Sequence, residues 1–157
     1  MTFKKAVEGT PDLMGTWCAG LQALSRADKA HVTAEDTRRL TGSVNVDLTL
    51  KAKLPKEPRW DYAIGHLPTN LTHEMVYWVE IHPANDRGVA EVLKKLTWLK
   101  QWLRDFAPLL RAMPRAFVWV SSGMTSFTPS SPQQKQFALL GLQHKGRVLR
   151  IASQTTG

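Results

Sequence analysis

Apolar residues recur along this chain with two different periods, and the changes of period divide it into elements. From Pro11 the positions Leu13, Trp17, Leu21 and Leu24 step by three or four, predicting an N-terminal helix over 11–25 with Pro11 in its first turn. Thr33 as N-cap with Asp36 three positions on predicts a second, short helix that Gly42 ends. The run Val44 to Lys51 then alternates strictly, with Val44, Val46, Leu48 and Leu50 on one side, the period-two signature of a strand. A proline-containing connection from Lys51 to Pro58 leads to a second strand, Trp60 to Ile64. After the turn residues Pro68, Thr69 and Asn70 comes the densest β-branched and aromatic run of the chain, Met75 to His82, closed by Pro83.

Beyond Asp86 the period returns to 3.6. Val89, Val92, Leu93, Leu96, Leu99, Leu103, Phe106 and Leu110 predict one long amphipathic helix ending before Pro114. Ala116 to Gly123 is almost continuously apolar, as a strand covered on both faces beside a crossover helix would be. A loop spanning Thr125 to Ser131, a helix from Pro132 through Leu140 to Gly141, and a last strand from Arg147 to Ile151 complete the order. The expectation is an α/β fold, α-α-β-β-β-α-β-α-β, with a mixed sheet flanked by helices. Its 157 residues suit a single domain, with a core over about 33–151 and a short tail at 153–157.

Composition narrows the setting. Hydrophobic residues make up 43% and charged residues 22%, as in a globular protein, and no apolar run is long enough to span a bilayer. The start of the chain carries Lys4 and Lys5 without an apolar stretch behind them, so it does not read as a secretory signal. With Cys18 the single cysteine no internal disulfide can form, and a cytoplasmic setting is expected. A net charge of +8 favours a polyanionic partner. Lys51, Lys53, Lys56 and Arg59 bracket the connection into Asp61, where DNA or RNA phosphates would be attracted.

The candidate chemistry lies around that connection. Asp61 begins one strand, and Glu80 and His82 end the next. Two apart on a strand, Glu80 and His82 share a face about 7 Å from one another. With the order of elements, Arg59-Trp60-Asp61 and Glu80-Ile81-His82 resemble the motif of the PD-(D/E)XK, or restriction-endonuclease-like, nuclease superfamily. The resemblance implies a three-layer core, nucleic-acid processing or binding, and a Mg²⁺ ion held by Asp61 and Glu80. His82 then stands in the place of the family lysine, which orients the attacking water and stabilises charge on the phosphate. A histidine carries little positive charge at neutral pH. The resemblance therefore implies either a degenerate site or a lysine supplied from elsewhere, with Lys94 and Lys95 on the following helix as candidates; each is equally an ordinary solvated helix lysine.

Other readings stand beside this one. Asp47 is a fourth site member or a plain solvent-facing acid, and Glu35 matches a helical acid that some members add. His66, His73 and His82 suit zinc by residue type, but no closely spaced ligand pair accompanies them. No Gly-rich phosphate loop, nucleophile elbow or EF-hand loop occurs. Trp98 and Trp102, one helical turn apart and partly off the main apolar stripe, give the long helix a second face. That face is the basis of the alternative function, a non-enzymatic interaction domain or homodimer.

Overall fold

The structure, a computed structural model, describes residues 1–123 and 132–156, omitting the side chains of residues 133 and 134. Its centre is the strand that the sequence marks most strongly, β4 (Met75–His82). On one side β4 pairs antiparallel with β3 (Tyr62–His66), and β3 pairs antiparallel with β2 (Leu40–Asn45). On the other side β4 pairs parallel with β5 (Arg115–Ser121), and β5 pairs parallel with β6 (Leu142–His144). The result is a five-stranded mixed sheet in the order β2-β3-β4-β5-β6.

A parallel pair needs a crossover. Here the long helix α4 (Asp86–Phe106) supplies it between β4 and β5. The Asn85 side chain caps α4 by accepting from the Gly88 N–H at 2.8 Å. Gly88 is required by close approach, because a Cβ there would lie 2.0 Å from the Pro83 carbonyl oxygen. Val92, Leu96, Leu99, Trp102 and Leu103 press the buried face of α4 onto Trp78, Phe117 and Trp119 of the sheet. The opposite sheet face, with Tyr62, Ile64, Val79, Val118 and Val120, is covered by Leu24 and by a separate two-stranded parallel sheet. That sheet joins β1 (Val32–Ala34) to β7 (Leu149–Ile151).

Several expectations fail in the first third of the chain. In place of a helix over 11–25 there is a helix earlier, α1 (Phe3–Glu8), then one 3₁₀ turn at Pro11–Leu13 and irregular chain. Gly15 and Gly20 stand at φ +80° and +53°, left-handed conformations that interrupt the helical spacing. A short helix α2 (Arg26–Lys29) precedes β1, so Thr33 lies in a strand. The alternating run from Val44 is not one strand: after Asn45 it turns into the helix α3 (Val46–Leu50), whose Leu48 N–H is capped by the Asn45 side chain at 2.9 Å. Leu48 is correspondingly 68% exposed while Val44, Val46 and Leu50 are buried, so the alternation marked no continuous face.

Further on, the long helix breaks at Ala107, and Pro108 opens a separate turn of helix, α5 (Pro108–Ala112). Helix α6 (Pro132–Leu139) follows the expectation, β6 was not expected, and the last strand joins β1 rather than the main sheet. The loop expected over Thr125 to Ser131 lies outside the described residues, as does Gly157 at the end of the tail. Trp102 is 2% exposed, and its indole stacks on half-buried Trp98 with ring centroids 5.9 Å apart. Of the expected Trp98–Trp102 interaction face, Trp102 belongs to the core and Trp98 stays half-buried. Among the described residues no helix is long and apolar enough to cross a membrane.

Candidate active site

The antiparallel register of β3 and β4 pairs Tyr62 with Val79. Carried one residue further, it sets Asp61 against Glu80, and there side chains replace the backbone ladder. The Asp61 N–H donates to Glu80 Oε1 at 3.1 Å, and the Ile81 N–H donates to Asp61 Oδ2 at 3.0 Å. Each carboxylate is thereby fixed by the other strand. On the far side of Asp61, its carbonyl oxygen accepts from Val46 and Asp47 at the start of α3, at 2.9 and 3.3 Å.

Lys95 closes the cluster from α4. Its Nζ donates to Glu80 Oε2 at 2.5 Å and lies 3.9 Å from Asp61 Oδ1. Glu80 is fully buried, whereas Asp61 and Lys95 keep about a fifth of their side-chain surface open, at 19% and 22%. Burial, then the neighbouring Asp61, pushes the Glu80 carboxyl well above the ordinary carboxylate range, against the pull of Lys95. Burial likewise raises the Asp61 carboxyl to about 6, with Lys95 and the Ile81 N–H opposing. Burial also works against the charge on Lys95, but Glu80 and Asp61 together outweigh it and raise its affinity for the proton. The cluster is thus an acid pair held at one ammonium ion.

His82 stands beside this cluster rather than in it. Its Nε2 pairs with Glu91 Oε2 on α4 at 2.7 Å, and its Nδ1 lies 3.7 Å from Glu80 Oε2. Burial and then Lys95 hold the imidazole below its ordinary pKa, with Glu91 opposing. Glu91 is braced in turn by Arg87 at 3.3 Å. Lys94 points elsewhere, into an open groove lined by Pro58, Leu93 and Trp98.

The remaining candidates scatter. Asp47 pairs with Arg59 at 2.9 Å, and Arg59, 11% exposed, also donates to the Leu54 carbonyl oxygen; it is a strut for the connection. Lys53 pairs with Asp12 at 2.6 Å. Of the four cations expected to meet phosphate beside Asp61, those two are committed to acids of the chain, while Lys51 and Lys56 are exposed. Glu35 is not on a helix: it accepts from the Ser153 N–H at 3.0 Å and lies 3.7 Å from Arg150, far from Asp61 in the topology. His66 ends β3 opposite Met75, His82 lies at the other end of β4, and His73 is exposed, so the histidines do not converge.

For Mg²⁺ the donor set is two carboxylates. Among the described residues no group of three or more His, Cys, Asp or Glu is arranged around a cation position. Two hard oxygen donors are of the kind taken by an ion that keeps several waters, and the Lys95 ammonium stands against them, 2.5 Å from Glu80 and 3.9 Å from Asp61. No signal along the chain picked out Glu91, which becomes a partner of His82 only through the approach of α4 to the end of β4. No protein-family model, curated protein or solved structure matches this chain.

Proposed function

We propose that the domain is a nucleic-acid phosphodiesterase core of the PD-(D/E)XK kind, in which the lysine missing from the strand is supplied by α4 as Lys95. The observation that carries this reading is the convergence of Asp61, Glu80 and Lys95 from two adjacent strands and the crossover helix, with the ammonium 2.5 Å from one carboxylate and 3.9 Å from the other. The antiparallel β2-β3-β4 hairpins followed by α4 and a parallel β5 support it as well.

Asp61 and Glu80 would hold a Mg²⁺ ion, which when bound supplies charge neutralisation at the phosphate and an acidified water. The chain's own residues have separate tasks. Asp61 must be ionised to bind the metal, which its carboxyl near pH 6 allows at neutral pH. Lys95, held against Glu80 at the mouth of the acid pair, would offer positive charge to the phosphate oxygens. His82 fixes Glu91 and the first turns of α4, and so positions Lys95 one helical turn on.

Calorimetric titration with Mg²⁺ and Mn²⁺, combined with cleavage of end-labelled single- and double-stranded DNA and RNA, tests the reading. Metal binding lost in Asp61→Asn, and cleavage reduced about 10²–10³-fold in Lys95→Met, are the expected outcomes. No metal binding at millimolar concentration would remove it.

A further inference from the structure

The C-terminal third of this chain contains no acid. After Asp105 there is neither Asp nor Glu, but Arg111, Arg115, Lys135, Lys145, Arg147 and Arg150. The fold gathers part of that charge with cations of α4 around a cavity of 360 Å³ lined by Lys100, Leu103, Arg104, Arg111, Arg115 and Phe117. We propose that this cavity is a phosphate-binding site, distinct from the Asp61–Glu80–Lys95 cluster and independent of whether that cluster is a nuclease.

Among the described residues, what sets Lys100, Arg104 and Arg115 in position is a neutral partner. Arg115 donates from Nη1 to the Arg111 carbonyl oxygen at 2.7 Å, and its guanidinium carbon stands 5.8 Å from the centre of the Phe117 ring. Lys100 donates to the Leu140 carbonyl oxygen at 2.7 Å and approaches the same ring to 5.5 Å. Arg104 donates to Gln101 Oε1 at 3.0 Å. The nearest acid in sequence, Asp105, accepts from Gln101 Nε2 at 2.6 Å instead. Among the described residues none of the four cations forms an ion pair, and residues 124–131 bring no acid that could add one.

Backbone carbonyls and an aromatic face orient cations without cancelling them. Convergent cations repel one another, and the strain is relieved when an anion enters. Burial and then Arg115 hold the Lys100 ammonium below the ordinary lysine range, in keeping with that repulsion. Arginine forks favour phosphate over a monovalent halide, because two parallel N–H donors match two phosphate oxygens. A phosphate reaches such a site either free or within a nucleic-acid backbone. Arg115 also borders a second cavity with Lys145 and Arg150, which a ligand with several phosphates could enter.

The test titrates the full chain, in the presence of a chelator so that cleavage cannot intervene, with a fluorescent oligothymidylate 12-mer and separately with inorganic pyrophosphate. Arg104→Gln/Arg111→Gln removes two exposed cations, and Arg26→Gln/Lys29→Gln removes two exposed cations from α2 as a control of equal charge. The first pair should weaken phosphate-probe binding about tenfold or more at low salt and lower the salt slope by roughly 1 to 2, while the control changes affinity less than about threefold. Binding of the 12-mer without competition by pyrophosphate identifies a nucleic-acid backbone as the source, and competition identifies free phosphate; both support the site. Equal losses in the two pairs, or no binding of either probe by the wild-type protein at low salt, would overturn it. The binding readout needs neither metal nor cleavage, so a failed nuclease reading does not carry this site with it.

Discussion

Two charged clusters use helix α4, and they are built on opposite rules. At Asp61, Glu80 and Lys95 the charges are of both signs, screened from water and bonded to one another. At Lys100, Arg104, Arg111 and Arg115 the charges are of one sign and largely open to water, and Lys100, Arg104 and Arg115 are held by neutral partners. A buried charge must be compensated within the fold, whereas an exposed one has water as its alternative. The first cluster is therefore coupled to folding, and the second is available to a ligand at little consequence for stability.

The most severe way to break this contrast is to remove Lys95. Lys95→Met leaves fully buried Glu80 without its cation beside a second carboxylate, a loss of roughly 3–5 kcal/mol for an orphaned buried charge. Protonation of Glu80, whose carboxyl already sits well above the usual range, limits the damage toward the lower figure. Thermal melting should show Tm falling by about 6–12 °C for a chain of this length. Adding Glu80→Gln to Lys95→Met should recover more than half of that loss. If the double variant melts no higher than the single one, charge is not what Lys95 contributes.

A smaller effect follows from Asp61. Its carboxyl has a reference value of 3.8 and is raised to about 6 in the folded chain, so the folded state binds its proton more tightly than the unfolded one. That contribution to stability is fully present below pH 3.8 and is lost as pH rises through 6, opposite in sign to a salt-bridged aspartate. Comparing wild type with Asp61→Asn reads out the coupled Asp61–Glu80 pair, because Asp61 itself raises Glu80, while Glu35, Asp36 and Glu91, all lowered, are common to both chains. Denaturant melts should show wild type losing on the order of 2 kcal/mol relative to Asp61→Asn between pH 4 and pH 7. A constant difference across that range would mean that Asp61 is not desolvated.

How much of this was legible in the chain depends on whether the signal was local. Met75 to His82 and the helix from Asp86 were readable because their residues pack along one continuous face, so period and burial coincide. The α/β class and the mixed sheet follow from them. Val44 to Leu50 misled because Asn45 caps a turn of helix, an effect of one side chain on Leu48 N–H that periodicity does not register. The stripe after Pro11 misled because Gly15 and Gly20 take left-handed φ. At the site, Asp61 and Glu80 stood out as acids flanking apolar strands. Nothing in the sequence separated Lys95 from Lys94, since the choice depends on which face α4 turns toward Glu80. The cationic cavity did leave a trace, the absence of acids after Asp105, but residue types that are missing draw less notice than those that form a motif.

The smallest expected effect on stability sharpens the comparison from its other side. Arg104→Gln/Arg111→Gln removes two exposed cations that form no ion pair among the described residues, so it should change stability by less than about 0.5 kcal/mol, as surface substitutions do. Repulsion within the cavity gives the change a direction. With two of four like charges gone, the variant should be equal to or slightly more stable than wild type at low salt, and the difference should vanish at about 0.5 M salt, where screening reaches below the spacing of the side chains. Arg59→Met provides the contrast among cations, because Arg59 is nearly buried between Asp47 and the Leu54 carbonyl oxygen and its removal should destabilise by about 1–2 kcal/mol. Urea melts of the two variants at low and high salt measure both. A destabilised Arg104→Gln/Arg111→Gln would place those arginines among the groups that hold the fold together, and the division between a cluster that folds the chain and a cluster that waits for an anion would fail.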